Sequence, residues 1–153
     1  MLRVLVWDEG GEGGPAVTTA LMDRPGVSVT LTGPADPDQG TSPAALAEAG
    51  VVVWRGGPET ATSLTDRAAR RVVAAVGDRG VGFVVLPMGF PGKPAGLLLD
   101  GISLPDSGDD WRGVVGKGRV CRLGGRGGWG APLSEAAAER LRAAVCWCGG
   151  GDR

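Results

Sequence analysis

The side chains able to do chemistry in this chain are few, and histidine is missing from all 153 residues. That absence removes serine–histidine and cysteine–histidine activation of a nucleophile, and any histidine metal ligand. Carboxylates, guanidiniums, very few lysines and three thiols remain. The stretch "WDEGGEGG" holds Asp8, Glu9 and Glu12. A carboxylate at the end of a strand can serve as a general base or bind a hydroxyl, and Glu9 and Asp8 stand ahead of Glu12 for that work. A solvated acidic turn explains the same residues equally well. Lys93 follows another strand, where its charge could reach a ligand carbonyl or carboxylate; a plain surface charge is the competing reading. Arg55 could likewise stabilise developing negative charge.

Gly11 to Ala16 spells the dinucleotide fingerprint G-x-G-x-x-A. Its glycines sit several residues past the strand, and three nearby carboxylates would repel a pyrophosphate. No cofactor is expected. Cys146 and Cys148 are two apart on a helix, so they do not share a face, and no second pair accompanies them; no metal site is expected. Cys148 reads as core and Cys146 as exposed, with Cys121 completing an odd, reduced set. The glycine-rich "RLGGRGGWGAP" carries Arg122 and Arg126 ahead of a helix, an arrangement that suits either an anion or a mobile connector.

Tryptophans give the aromatic signal. Trp7 and Trp54 close apolar runs, and Trp129 lies in the last glycine-rich loop. Grouped around one crevice, they would favour a flat, apolar or polycyclic small molecule; ordinary core packing is the alternative. The turn "PMGFPGK" adds Met88, Gly89 and Phe90 as an apolar wall.

These groups need elements to position them. Leu2–Trp7, Val51–Trp54 and Phe83–Leu86 read as buried strands, and Val27–Thr32 alternates as a more exposed strand does. Helices are expected over Pro15–Asp23, in an alanine-rich run after Thr41–Pro43, from a capping box at Ser63 and Asp66 to about Val76, and from Ser134 to about Trp147. Trp111–Val115 and Arg119–Leu123 read as an edge pair around "GKG". "AGLLLDG" reads as a short helix or turn, and Asp100–Asp110 as irregular. Apolar strands alternating with amphipathic helices imply one three-layer α/β domain over 1–148, a mostly parallel sheet flanked by helices, with 149–153 as a flexible tail. Ligands then belong beyond the carboxyl ends of the strands, in the loops at 8–14, 55–63, 87–94 and 124–132.

Composition narrows the partners. A formal charge of −1 argues against nucleic acid. No apolar run approaches a membrane span, so no membrane is expected. The opening "MLRVLVWDEGG" enters a strand at once with no small-residue cleavage site, so the cytosol is the expected compartment. Nothing here argues against a homo-oligomer.

Read in order, "RVLVWDEG", "VVVWRGG", "FVVLPMGFPGKPAGLLL" and "GRVCRLGGRGG…ERLRAAVCW" resemble the ThuA-like family, named for trehalose utilisation. The resemblance spans most of the chain and is most specific at Gly89 and Lys93-Pro94. It implies a class I glutamine-amidotransferase-like, flavodoxin-like fold. Gly57, Pro87 and Phe90 stand where that family tends to carry histidine, and Met88 where a small hydroxyl residue is common. The segment before the closing strands is shortened. Glu9, Trp54, Gly89 and Lys93 remain, but the groups for carbohydrate turnover do not carry over, and the amidotransferase cysteine is absent.

The residues therefore point first to a cofactor-independent enzyme of isomerase or cyclase type, from specialised metabolism, with an aromatic crevice. Glu9 or Asp8 would move a proton, and Lys93 or Arg55 would stabilise charge. A non-catalytic binding or accessory protein is the second reading, and a ThuA-type sugar-modifying enzyme the third.

Overall fold

The computed structural model describes residues 1–9, 13–56, 64–86, 94–100, 109–125, 129 and 133–150. In chain order the elements are β1 (Leu2–Asp8), α1 (Gly13–Met22), β2 (Val27–Thr32), a short turn at Pro37–Gly40, α2 (Pro43–Glu48), β3 (Val51–Arg55), α3 (Asp66–Arg79), β4 (Gly82–Val85), α4 (Ala95–Leu98), β5 (Trp111–Val115), β6 (Gly118–Arg122) and α5 (Glu135–Cys148). The six strands form one sheet in the order β2-β1-β3-β4-β6-β5. Every pairing is parallel except β5 with β6. The expected mostly parallel α/β sheet is therefore present, with β5 as the antiparallel edge.

Period-two side-chain alternation divides the apolar residues between two cores. Leu5, Trp7, Val52, Trp54 and Phe83 pack with Ala68, Val72 and Ala75 of α3. Val4, Val6, Val51, Val53 and Val84 point the other way and pack with Val17 and Leu21 of α1 and Leu141 and Val145 of α5. β1, β3 and β4 are apolar almost throughout because both of their faces are covered. β2 lies at an edge and is half-buried to exposed along its length.

Local chemistry sets the helix ends. The hydroxyls of Ser42, Thr65 and Ser134 accept from the backbone N–H groups of Ala45, Ala68 and Ala137 at 3.2, 3.1 and 3.1 Å, as N-caps do. The cap of α3 is thus Thr65; Ser63 lies outside the described residues. α3 also continues through Gly77 and stops at Gly80, whose φ of 79° is left-handed and whose N–H returns to Ala75 and Val76. Gly77 costs about 1 kcal/mol relative to alanine in a helix interior, and its carbonyl accepts from the Lys117 N–H at 2.9 Å as the helix runs on through it. At Gly82 a Cβ would stand 2.5 Å from the carbonyl oxygen of Cys148, so glycine there lets α5 close onto β4.

No helix among the described residues is long and apolar enough to cross a membrane. All three cysteines are free thiols. Cys121 and Cys148 are buried in the sheet–α5 core as read for Cys148, whereas Cys146 is half-buried rather than exposed, with Arg24 Nη2 donating to its Sγ at 3.8 Å. Burial pushes the Cys148 thiol up to about 12 and raises that of Cys121 as well. A maleimide at pH 7 should therefore label Cys146 alone in the native protein, and all three cysteines in denaturant, read by intact mass; native labelling of Cys148 at the Cys146 rate would contradict this packing.

Candidate functional site at the carboxyl ends of the strands

The chain leaves β1 for β2 on one side and later reaches β3 on the other. α1 follows β1 on one face of the sheet, and α3 follows β3 on the opposite face. The helices after β1 and β3 therefore lie on opposite faces, which marks the topological switch point where open α/β sheets receive ligands.

Two charged side chains meet at that point. Parallel register sets Asp8 beside Arg55, and both continue the stripe of Val4, Val6, Val51 and Val53 on the α1/α5 face. Arg55 Nη1 reaches Asp8 Oδ1 at 2.5 Å, with only 8% and 6% of the two side chains exposed. Arg55 Nε donates to the carbonyl of Trp129 at 3.1 Å, and its own carbonyl accepts from the Glu9 N–H at 3.1 Å. The first turn of α1 lies directly on the pair. A Cβ on Gly13 would stand 2.0 Å from Arg55 Cζ, and one on Gly14 would stand 2.5 Å from Asp8 Oδ2. Gly13 and Gly14 thus serve close approach to an ion pair, and the positive end of the helix favours the carboxylate beneath it.

A second ion pair flanks the same loop. Arg140 of α5 pairs with Asp110, donates to the Gly124 carbonyl at 2.9 Å and stacks over the Trp129 ring at 5.4 Å. The Trp129 indole N–H reaches Gly124 O at 3.3 Å, and Asp110 accepts from the Gly124 N–H at 2.7 Å. Burial pushes the Asp110 carboxyl up, but the Gly124 N–H and the Arg140 and Arg112 guanidiniums outweigh it and hold the group below its ordinary range. A continuous polar chain, Asp8–Arg55–Trp129–Arg140–Asp110, therefore crosses the carboxyl end of the sheet.

This geometry corrects the aromatic crevice. Trp7 and Trp54 are register partners stacked at 4.0 Å and 2°, buried in the α3 core and followed by Phe83 at 6.2 Å. Trp129 belongs to the core on the opposite face. Odd-numbered Trp7 and even-numbered Trp54 are paired in register, so both point to the α3 side, and the sheet separates them from Trp129. The three indoles do not share a ligand wall. Trp7 has a structural task as well: its Nε1–H donates to Gln39 O at 2.8 Å. That bond helps to hold the turn in which Asp38 and Gln39 both adopt φ 55°, a left-handed conformation costly for non-glycine residues. Arg71 Nε secures the same turn through Thr41 O at 2.9 Å.

Asp8 and Arg55 are brought together as expected of one site, but as partners of each other, so Asp8 is not placed as an independent base. Glu9 follows at the strand end, half-buried. Met88, Gly89, Phe90, Lys93 and Arg126 lie outside the described residues. Asp110 and Arg140 were missed by reading the sequence. The acidic pair beside Trp111 was a visible signal, whereas Arg140 looks like any other charge on an amphipathic helix.

Asp8→Asn should leave the Arg55 guanidinium buried without its counter-charge and cost about 3–5 kcal/mol in urea unfolding, while the double change Asp8→Leu with Arg55→Met recovers most of that loss. An Asp8→Asn protein within about 0.5 kcal/mol of wild type would contradict the pairing. At Asp110 the folded value lies below the unfolded one, so its contribution is complete above the ordinary 3.8 and is lost as pH falls through the lower folded value. The stability gap between wild type and Asp110→Asn should accordingly shrink below pH 3.8, as read by thermal melts across pH 2–6.

No protein-family model matches this chain, and no curated protein matches it.

Proposed function

We propose that this protein binds a small organic molecule over the switch point between β1 and β3, with the buried Asp8–Arg55 pair fixing the strand ends and the start of α1 beneath the site. The observation that carries this reading is the burial of that pair where α/β sheets take their ligands. Desolvating two charges contributes little net stability, so a role in shaping a site accounts for the pair better than stability does. Because the two charges neutralise each other, no uncompensated charge from this pair draws a phosphate or nucleotide, and an uncharged ligand, apolar or polycyclic, is the reading kept.

Catalysis is the second reading, and the placement of Glu9 favours it. With Asp8 committed to Arg55, Glu9 is the next carboxylate along the strand end, and its backbone is tied to β3 through Arg55 O. A cofactor-independent isomerase or cyclase would use Glu9 to move a proton, with the ligand held in a reactive conformer. A ThuA-type sugar-modifying activity draws only on the loop resemblance and has no geometric support.

A thermal-shift screen of apolar and polycyclic metabolites tests the binding, followed by amide chemical-shift mapping of any hit. A ligand at about 100 times its Kd should add about 2.7 kcal/mol of stability, with the largest shifts at Asp8, Glu9, Gly13 and Arg55. Shifts confined to another part of the surface would overturn the assignment. Recovering the ligand chemically altered selects the enzyme, and Glu9→Gln should then slow turnover about 10²-fold or more; recovering it unchanged selects the binding protein.

A further inference from the structure

We propose that the chain forms a two-fold symmetric dimer through β2, joining two sheets into one of twelve strands. This inference is independent of the ligand reading. Edge strands are normally guarded by a charge, a proline or a bulge because their unpaired N–H and C=O groups invite another strand. β2 reads "VSVTLT", six residues without charge, proline or glycine, and it ends the sheet. The opposite edge, β5, carries Arg112 and Gly113.

The uncharged character extends beyond the strand. α1, which packs on β1 and β2, is "GGPAVTTALM" and has no ionisable side chain. α3 and α5, by contrast, are studded with Arg, Asp and Glu. The corner formed by α1 and β2 also exposes Met22 at 61% and Leu31 at 44%. On the other face, an open groove of about 300 Å³ separates Ser28 and Thr30 from Ala45 and Glu48 of the six-residue α2, with Arg3 and Glu48 as the charged residues of its lining.

The occupant that fits is a second copy of the same strand. Register with β1 puts Ser28, Thr30 and Thr32 on the Leu5/Trp7 face and Val27, Val29 and Leu31 on the Val4/Val6 face. An antiparallel pair about a two-fold axis at Thr30 sets Thr30 against Thr30, Ser28 against Thr32, and Val29 against Leu31. Hydroxyl meets hydroxyl and apolar meets apolar, the cross-strand pairings that stabilise sheets. With strands about 4.8 Å apart, the two α1 helices come side by side on one face. Their contact through Met22 supplies area beyond the strand edge, toward the roughly 800 Å² per partner that stable interfaces bury.

Sedimentation equilibrium of the full chain tests this, with a mass of twice 15.4 kDa expected. Thr30→Lys places like charges opposite each other at the axis, at a residue exposed to solvent. It should weaken the dimer at least tenfold while leaving the circular dichroism spectrum unchanged. Val114→Lys on β5 should leave the dimer intact. A wild-type monomer at millimolar concentration, a dimer indifferent to Thr30→Lys, or one broken by Val114→Lys overturns the proposal. Hydrogen exchange on the wild type gives a reading that needs no variant: amides 27–32 should gain protection as concentration rises through the dimer range, and protection independent of concentration overturns the inference.

Discussion

The contact on which the carboxyl end of this sheet depends is the ion pair between Asp8 and Arg55. It joins β1 and β3 at their ends, receives the first turn of α1 from above, and reaches Trp129 in the loop before α5. Its desolvation is offset only if both partners keep their geometry. The surroundings meet that demand with glycine at two successive positions, where any side chain would collide with the pair. A salt bridge between two neighbouring strands thereby dictates the sequence of a helix terminus.

The pair also divides the labour of the two faces. On the α3 side, Trp7, Trp54 and Phe83 form an aromatic layer across β1, β3 and β4, and the indole N–H of Trp7 leaves that layer to hold the left-handed turn at Asp38 and Gln39. On the α1/α5 side the same strand ends carry charge, and the second ion pair of Arg140 and Asp110 continues the polar chain past Trp129. A ligand over the switch point would meet a surface that is electrically neutral in sum but polar in detail, with Glu9 beside it. The ligand reading and the dimer reading use different parts of the molecule, since the dimer uses the outer edge of β2 and the outer side of α1, whereas the ion pair lies at the carboxyl ends of β1 and β3.

The alternation of valine-rich runs with amphipathic helices was sufficient to expect a parallel sheet covered on both faces, and the exposed, alternating β2 and the β5–β6 edge pair were legible in the same way. These features follow from periodicity, which is a local property of the chain. Helix ends were legible only to within a few residues: Thr65 rather than Ser63 caps α3, because hydroxyl residues cluster there and backbone geometry chooses between them, and the helix runs through Gly77 to the left-handed Gly80.

By itself the sequence determined which groups were available: carboxylates and guanidiniums, no histidine, thiols in an odd number, and tryptophans closing two strands. Tertiary structure alone decided how they meet. Which face a strand-end residue presents depends on its parity within the strand and its register with the neighbour. Trp7 and Trp54, which their place at strand ends groups with Trp129 in one crevice, are therefore separated from it by the sheet. Asp8 and Arg55, 47 positions apart, become a single buried unit by the same rule. Arg140 could be assigned no role from its helix because its partners arrive from the segment after β6 and from the segment before β5. Spacing along the chain reports faces of one element; the joining of charges from different elements is set by register and packing, which no single element encodes.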